Sequence, residues 1–194
     1  MLRAVDALRI VEQHRDDAIV IPTMMGVRAW NQVTHNPKLD LPISGAMGKA
    51  SSVGLGLALA QPGRKVVVVD GDGSLLMNLG SLVTVAHKAP PNFYHFVLEN
   101  GVYAITGGQP VPGAGRFSFA GLAREAGYRA SYEFDDLEEF ATQAARVLDE
   151  EGPVFVCLKV EPEIENTPIQ LRPRPARRTV DAMRDLMETL GTRR

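Results

Sequence analysis

Cysteine is almost missing from this chain: Cys157 is the only one in 194 residues. A lone thiol closes no disulfide within the chain, which fits a reducing, cytoplasmic setting. It lies in the apolar run Val154 to Leu158, where a cysteine serves as a small buried hydrophobe rather than a nucleophile. Long apolar runs are lacking as well. None approaches the ~18 residues of a membrane-crossing helix, and Met1-Leu-Arg-Ala-Val-Asp carries no signal-peptide core. Neither sign of charge dominates: 21 basic residues stand against 23 acidic ones, which leaves no electrostatic footprint for nucleic acid or a membrane surface. Aromatic residues make up 6%, with Trp30 the sole tryptophan, and no internal repeat is visible. What is plentiful is apolar content, 45% of the chain, enough for one domain over residues 1–194 with a core of its own.

The patterning alternates between helix and strand. Ala4, Val5, Leu8 and Val11 recur at helical spacing between Leu2 and His14. Ala18 to Ile21 reads as a short β-branched strand that Pro22 ends, and Met24 to His35 is poorly periodic up to the turn signal Asn36-Pro37. Val66 to Val69 and Phe93 to Leu98 are continuously apolar, as in strands covered on both faces of a parallel sheet, with a helix from Asn78 to Lys88 between them. Gly101 to Gly115 is a Gly/Pro-rich loop, too rich in turn residues for a regular element. A helix over Phe119 to Ala126 and a strand over Arg129 to Phe134 follow. Asp135 or Asp136 then caps a helix bearing Leu137, Phe140, Ala144 and Val147, and Val154 to Val160 forms the last strand. Residues 161–194 are a proline- and arginine-rich tail ending in a helix with Val180, Met183, Leu186, Met187 and Leu190 on one face, a packing stripe or a subunit contact. This alternation predicts an α/β fold: a single three-layer domain with an open, mostly parallel sheet and helices on both faces.

Two strand ends carry oxygen ligands beside glycines. The first apolar run breaks at Asp70-Gly71-Asp72-Gly73-Ser74, the second ends at Glu99-Asn100-Gly101-Val102-Tyr103. Ligands of parallel α/β sheets bind outside the carboxyl ends of the strands, so Asp72 and Asn100 can lie side by side there. Magnesium takes oxygen donors in a near-octahedral shell, and a few protein groups leave room for phosphate oxygens and water. Gly71 and Gly73 let the turn approach phosphate without a Cβ, and the Ser74 amide at a helix start supplies donors for the anion. Alone, Gly-Asp-Gly is equally a turn whose aspartate caps the next helix; the asparagine on the next strand end favours a magnesium–diphosphate site. Gly54-Leu-Gly56-Leu-Ala58 imitates a dinucleotide fingerprint, but these glycines sit within a helical segment instead of between a strand and a helix start. Gly48, Gly54 and Gly56 make Ile43 to Ala60 a poor helix on propensity, though small residues permit close backbone approach.

Gly71-Asp72-Gly73-Ser74 followed by Asn100 is similar to the thiamine-diphosphate motif. With Ser44-Gly45-Ala46-Met47-Gly48, the small-residue segment Ala50 to Ala60, and Thr106-Gly107-Gly108-Gln109, the chain from Gly45 to Val160 resembles the diphosphate-binding half of thiamine-diphosphate enzymes. It looks most like the small subunit of sulfopyruvate decarboxylase and the matching half of phosphonopyruvate decarboxylase. The resemblance implies that Asp72, Asn100 and the Val102 carbonyl hold Mg2+, and that Gly71, Gly73 and Ser74 meet the diphosphate of thiamine diphosphate. It implies that the Gly45 carbonyl accepts the aminopyrimidine amino group and that Met47 sits beneath the bent cofactor, with Ala46, Tyr103, Ala104 and Ile105 completing the grip. A bulky wedge at Met47 would bring the amino group close to the reacting carbon, which is proximity applied to a proton transfer. Glu99 stands where the family often has Asn or Asp, and Pro22 to His35 departs from the family's pattern.

The glutamate that activates the cofactor in this superfamily comes from a separate pyrimidine-binding domain, for which this chain has no room. The resemblance therefore implies a pyrimidine-binding partner chain of similar size, a hetero-oligomer and an active site between subunits, self-association being a further possibility. The implied reaction releases carbon dioxide from a 2-oxo acid. Thr106, Gln109, Tyr103 and His87 are candidates to touch substrate; His87, Lys88, Arg172 and Arg174 could offer charge to a sulfonate or phosphonate, although arginines in tails are usually solvated. Acetolactate synthase-like carboligation and a non-catalytic cofactor-binding module remain alternatives. Ferredoxin oxidoreductase subunits of this fold carry iron–sulfur cysteines, which this chain does not have.

Overall fold

The computed structural model describes residues 1–172 and 177–191. Five strands form one sheet in the order β1-β2-β3-β7-β6, every neighbouring pair parallel: β1 (Ile19–Pro22), β2 (Val66–Gly71), β3 (Phe93–Glu99), β7 (Val154–Lys159) and β6 (Ala130–Phe134). The valines of β2 are all buried because alternate side chains enter two different cores. Val67 and Val69 face α1 (Ala4–Gln13), α2 (Met25–Trp30) and α7 (Leu137–Asp149). Val66 and Val68 face α3 (Ala50–Ala60), α5 (Ser81–Lys88) and α6 (Phe119–Ala126). Three layers result, as the alternation of elements predicts. No helix among the described residues is long and apolar enough to cross a membrane.

Glycine sets how closely one layer seats. A Cβ on Gly54 would stand 2.4 Å from Val68 Cγ2, so α3 rests on β2 at a distance that only a missing side chain permits. Ala50 to Ala60 is thus helical despite weak propensity: the tertiary contact decides. Asp136 caps α7 by accepting the Glu139 N–H at 2.9 Å, and Cys157 is fully buried, both as expected.

Three local expectations are corrected. The helix expected from Asn78 begins at Ser81, after turns in which the Ser81 and Leu82 N–H groups bond three residues back, to the Asn78 and Leu79 carbonyls at 2.9 and 3.1 Å. A separate short helix, α4 (Asp72–Leu76), starts directly at the end of β2. The Gly/Pro-rich loop contains a small hairpin, β4 (Val102–Tyr103) with β5 (Gln109–Pro110), closed through a 3₁₀ turn at Ala104–Thr106 and Gly107 in the left-handed region. The last helix, α8 (Thr179–Thr189), buries Ala182 and Leu186 and leaves Val180, Met183 and Met187 largely exposed.

Candidate cofactor site

The carboxyl ends of β1, β2 and β3 open into one pocket. Parallel strands raise their last residues to the same edge, so Asp72 and Asn100 meet although a helix pair and a strand separate them in sequence. Asp72 Oδ2 accepts the N–H groups of Asn100 (3.1 Å) and Gly101 (2.7 Å), and Oδ1 accepts that of Gly73 (2.8 Å). Asn100 Oδ1 in turn accepts the Val102 N–H at 3.0 Å. The loop after β3 is therefore threaded onto a carboxylate at the end of β2.

Electrostatically this carboxylate is incomplete. Asp72 is 3% exposed. Burial pushes its pKa above the ordinary 3.8 against the pull of the Gly101, Gly73 and Asn100 N–H groups, and the nearby Glu99 carboxylate pushes in the same direction as burial. Among the described residues, no cationic side chain is among the groups with the largest effect on it. A buried anion without a countercharge is costly, and a bound divalent cation is the usual remedy. Asp72, Asn100 and the Val102 carbonyl form an all-oxygen donor set of the hard kind that magnesium takes. These residues fit the metal.

The diphosphate side is equally close-set. A Cβ on Gly73 would lie 2.4 Å from the Tyr103 ring, so glycine there leaves room for Tyr103 to cover the turn. The Gly73 N–H, expected at the diphosphate, is here held by Asp72, and α4 is only five residues long, so its dipole is small. Ser74 Oγ accepts the Gly48 N–H at 3.0 Å, and Asn78 holds the Gly48 carbonyl. Both bonds tie the Gly45–Gly48 turn to the β2 loop, and Gly45 and Gly48 take positive φ of 74° and 70° to make that turn.

Of the positions singled out in sequence, Met47, Gly71, Asp72, Gly73, Ser74, Asn100, Val102, Tyr103, Ala104, Ile105 and Thr106 line the pocket. Gly45 and Ala46 lie beside it, Ala46 packed against the neighbouring core. Gln109 is outside the lining and exchanges hydrogen bonds with Thr106 at 3.0 and 2.8 Å. His87 is not among the residues that line the pocket. It sits in the last turn of α5, a helix of ~12 Å that runs back towards the start of β3, away from the strand ends that bear the pocket. Arg174 lies outside the described residues, and Arg172 is bonded to backbone carbonyls of Ile105 and Thr167. Glu99 accepts the Cys157 thiol at 2.9 Å, and burial pushes that thiol's pKa up, so Cys157 is inert core.

Sequence reasoning missed Met24, Met25, Gly26 and Leu98, which also line the pocket. Met24 holds φ 51° and ψ −120°, a strained conformation for a side-chain-bearing residue. A Cβ on Gly26 would meet the Val69 carbonyl at 2.9 Å, so glycine lets α2 pass close over β2. The signal was available: β1 runs parallel to β2, so the residues just after it reach the same edge of the sheet.

The family described as thiamine pyrophosphate enzyme, C-terminal TPP binding domain, matches residues 22–158. Over 153 residues the chain is 48% identical to phosphonopyruvate decarboxylase of Streptomyces viridochromogenes, an alignment that covers 79% of this chain and 38% of that enzyme. It is 37% identical over 170 residues to sulfopyruvate decarboxylase subunit beta of Methanothermobacter thermautotrophicus, covering 87% and 88%. The chain thus spans little more than a third of the first relative and most of the second. Among solved structures, the thiamine diphosphate-dependent 4-hydroxybenzoylformate decarboxylase of Rhodococcus jostii RHA1 shares the fold, with a TM-score of 0.66 at 19% identity over 86% of this chain and 33% of that one. With residues 22–158 matched by the family and a 37% identical relative covered over 88% of its length, the chain belongs to the family of thiamine pyrophosphate enzymes, as their C-terminal TPP-binding domain.

Proposed function

We propose that this chain is the diphosphate- and Mg2+-binding subunit of a cytoplasmic thiamine-diphosphate-dependent 2-oxo acid decarboxylase of the sulfopyruvate or phosphonopyruvate type. It works with a pyrimidine-binding partner chain that supplies the activating glutamate. The observation that carries the reading is Asp72: a buried carboxylate at a strand end, supplied with N–H donors but, among the described residues, no cationic side chain, and bonded to the Asn100 N–H at the edge of a pocket that both residues line. The relatives' names support the substrate class.

Bound thiamine diphosphate supplies the electron sink that lets a 2-oxo acid release carbon dioxide. The chain's own residues contribute binding and position. Asp72, Asn100 and the Val102 carbonyl would hold Mg2+, which would supply positive charge to the diphosphate and to the buried carboxylate. Gly73 and Ser74 bring backbone close to the phosphates, and Tyr103 closes over that turn. Met47, which lines the pocket, would support the bound cofactor, and the Gly45 carbonyl would accept its pyrimidine amino group. Ala104, Ile105 and Thr106 form the wall that would keep water from the reacting end, with Thr106 placed to face the substrate.

Co-expression with the candidate partner chain, followed by measurement of carbon dioxide release from sulfopyruvate, phosphonopyruvate and pyruvate, tests the reading. Turnover is expected only with both chains, thiamine diphosphate and Mg2+. Robust turnover by this polypeptide alone would remove the partner, and a condensed acyloin product in place of the aldehyde would assign carboligation.

A further inference from the structure

The tail beyond β7 is in contact with the pocket. The Glu165 N–H donates to the Ala104 carbonyl at 2.8 Å, and Arg172 Nη2 donates to the next carbonyl, Ile105, at 2.8 Å. Ile164 packs so tightly on Gly108 that a Cβ there would stand 2.7 Å from its Cδ1. Three residues of the tail thus hold the 3₁₀ turn and the hairpin end whose Ala104, Ile105 and Thr106 form a pocket wall. The tail is braced internally: Arg172 Nε reaches the Thr167 carbonyl at 2.7 Å, and the Thr167 N–H reaches Glu165 Oε1 at 2.7 Å. The other oxygen of Glu165 pairs with Arg28 at 3.3 Å. Arg28 belongs to α2, whose first residues, Met25 and Gly26, line the same pocket. One short segment therefore joins two walls. It lies beyond residues 22–158, where the family match ends.

We propose that residues 164–172 are a strap that positions the 104–108 turn and links it to α2, with Glu165 and Arg172 as positioning residues for cofactor retention. The role in cofactor retention rests on the reading of the pocket as a thiamine diphosphate site; the role in holding the turn does not. The physical basis is restriction of freedom. A turn rich in glycine has many conformations to lose on binding a ligand, and two hydrogen bonds to consecutive carbonyls remove them beforehand.

Arg172→Ala removes one anchor, and Glu165→Pro removes the other by deleting the donor N–H; Arg172→Lys is a milder variant should either fail to fold. Hydrogen–deuterium exchange of residues 103–110, read without cofactor on the chain with its partner, is expected to quicken about tenfold while β2 and β3 keep their protection. With Mg2+ present, the Kd for thiamine diphosphate is expected to rise about fivefold, with kcat at saturating cofactor nearly unchanged. Unchanged exchange at 103–110 overturns the strap, as does a loss of protection spread evenly over β2 and β3. A loosened turn with an unaltered cofactor Kd overturns the retention role. If the wild-type protein itself fails to bind thiamine diphosphate, the reading of the pocket fails while the exchange data still decide the strap.

Discussion

Asp40 and Asp72 are both 3% exposed, and burial raises the pKa of both carboxyls. Their surroundings differ. Asp40 faces Arg15 Nη2 at 2.9 Å and accepts the Thr34 hydroxyl at 2.6 Å. Arg15 also bonds Glu12 at 3.2 Å and stacks over Trp30, its charge centre 5.3 Å from the ring centroid. The countercharge is thus built into the chain, and the group ties α1 to the segment after α2. Asp72 receives three backbone N–H bonds and, among the described residues, no ion pair with a cationic side chain. A buried carboxylate with an internal partner is a structural joint; one held by backbone N–H groups is what the proposed function reads as a cation site.

The largest effect should come from breaking the joint. Arg15→Met leaves Glu12 and Asp40 buried with no arginine between them, and urea unfolding should show a loss of about 3 kcal/mol. Added Mg2+ and thiamine diphosphate should not restore the loss beyond the stabilisation they confer on wild type. A cost below about 1 kcal/mol, the range of a surface pair, would place the two carboxylates in one class. Next is Asp72→Ala, which should leave the fold intact and weaken Mg2+-dependent thiamine diphosphate binding by at least about 100-fold, near 2.7 kcal/mol. The ligand-induced rise in melting temperature should vanish with it, since a ligand stabilises only what it binds. An unchanged Kd would refute the site.

Gly73→Ala separates charge from shape. The carboxylate stays, but the new Cβ meets the Tyr103 ring at 2.4 Å, so the ring must move off the turn. Cofactor affinity should fall roughly tenfold, about 1.4 kcal/mol, with the unfolding midpoint little altered. A fall as large as that of Asp72→Ala would mean that Tyr103, more than the missing cation, defines the site.

The two carboxylates also differed in how readable they were. Asp72 stands between glycines at the end of an apolar run, and Asn100 at the end of the next, so local pattern plus the strand-end rule found both. The strands themselves were equally plain, because a strand buried on both faces needs an unbroken apolar run. Asp40 carries no such mark: its partner Arg15 is far off in sequence and meets it only when α1 packs beside the loop after α2. Met24 and Gly26 were missed for a similar reason, being set by the passage of α2 over β2 instead of by periodicity. Arg172 looked like a solvated tail arginine, and only the fold brings it to the Ile105 carbonyl.

The smallest effect is one of pH, and it measures how well Arg15 offsets burial at Asp40. Burial pushes the Asp40 carboxyl above its ordinary 3.8, while Arg15 and the Thr34 hydroxyl pull the other way without prevailing. An acid whose folded-state pKa is raised makes its full contribution below the unfolded value, and loses it as pH rises through the folded value. Asp40→Asn removes the titration and keeps the shape. The stability of wild type relative to Asp40→Asn should therefore be greatest below about pH 3.8, then fall as pH rises through the raised value, and level off above it. Urea midpoints of the two proteins, measured at matched ionic strength across that window, check the slope. A slope of opposite sign would mean that Arg15 more than offsets burial. The two carboxyls would then differ in the direction of their response as well as in their partners, and the contrast between joint and site would be sharper than the geometry alone makes it.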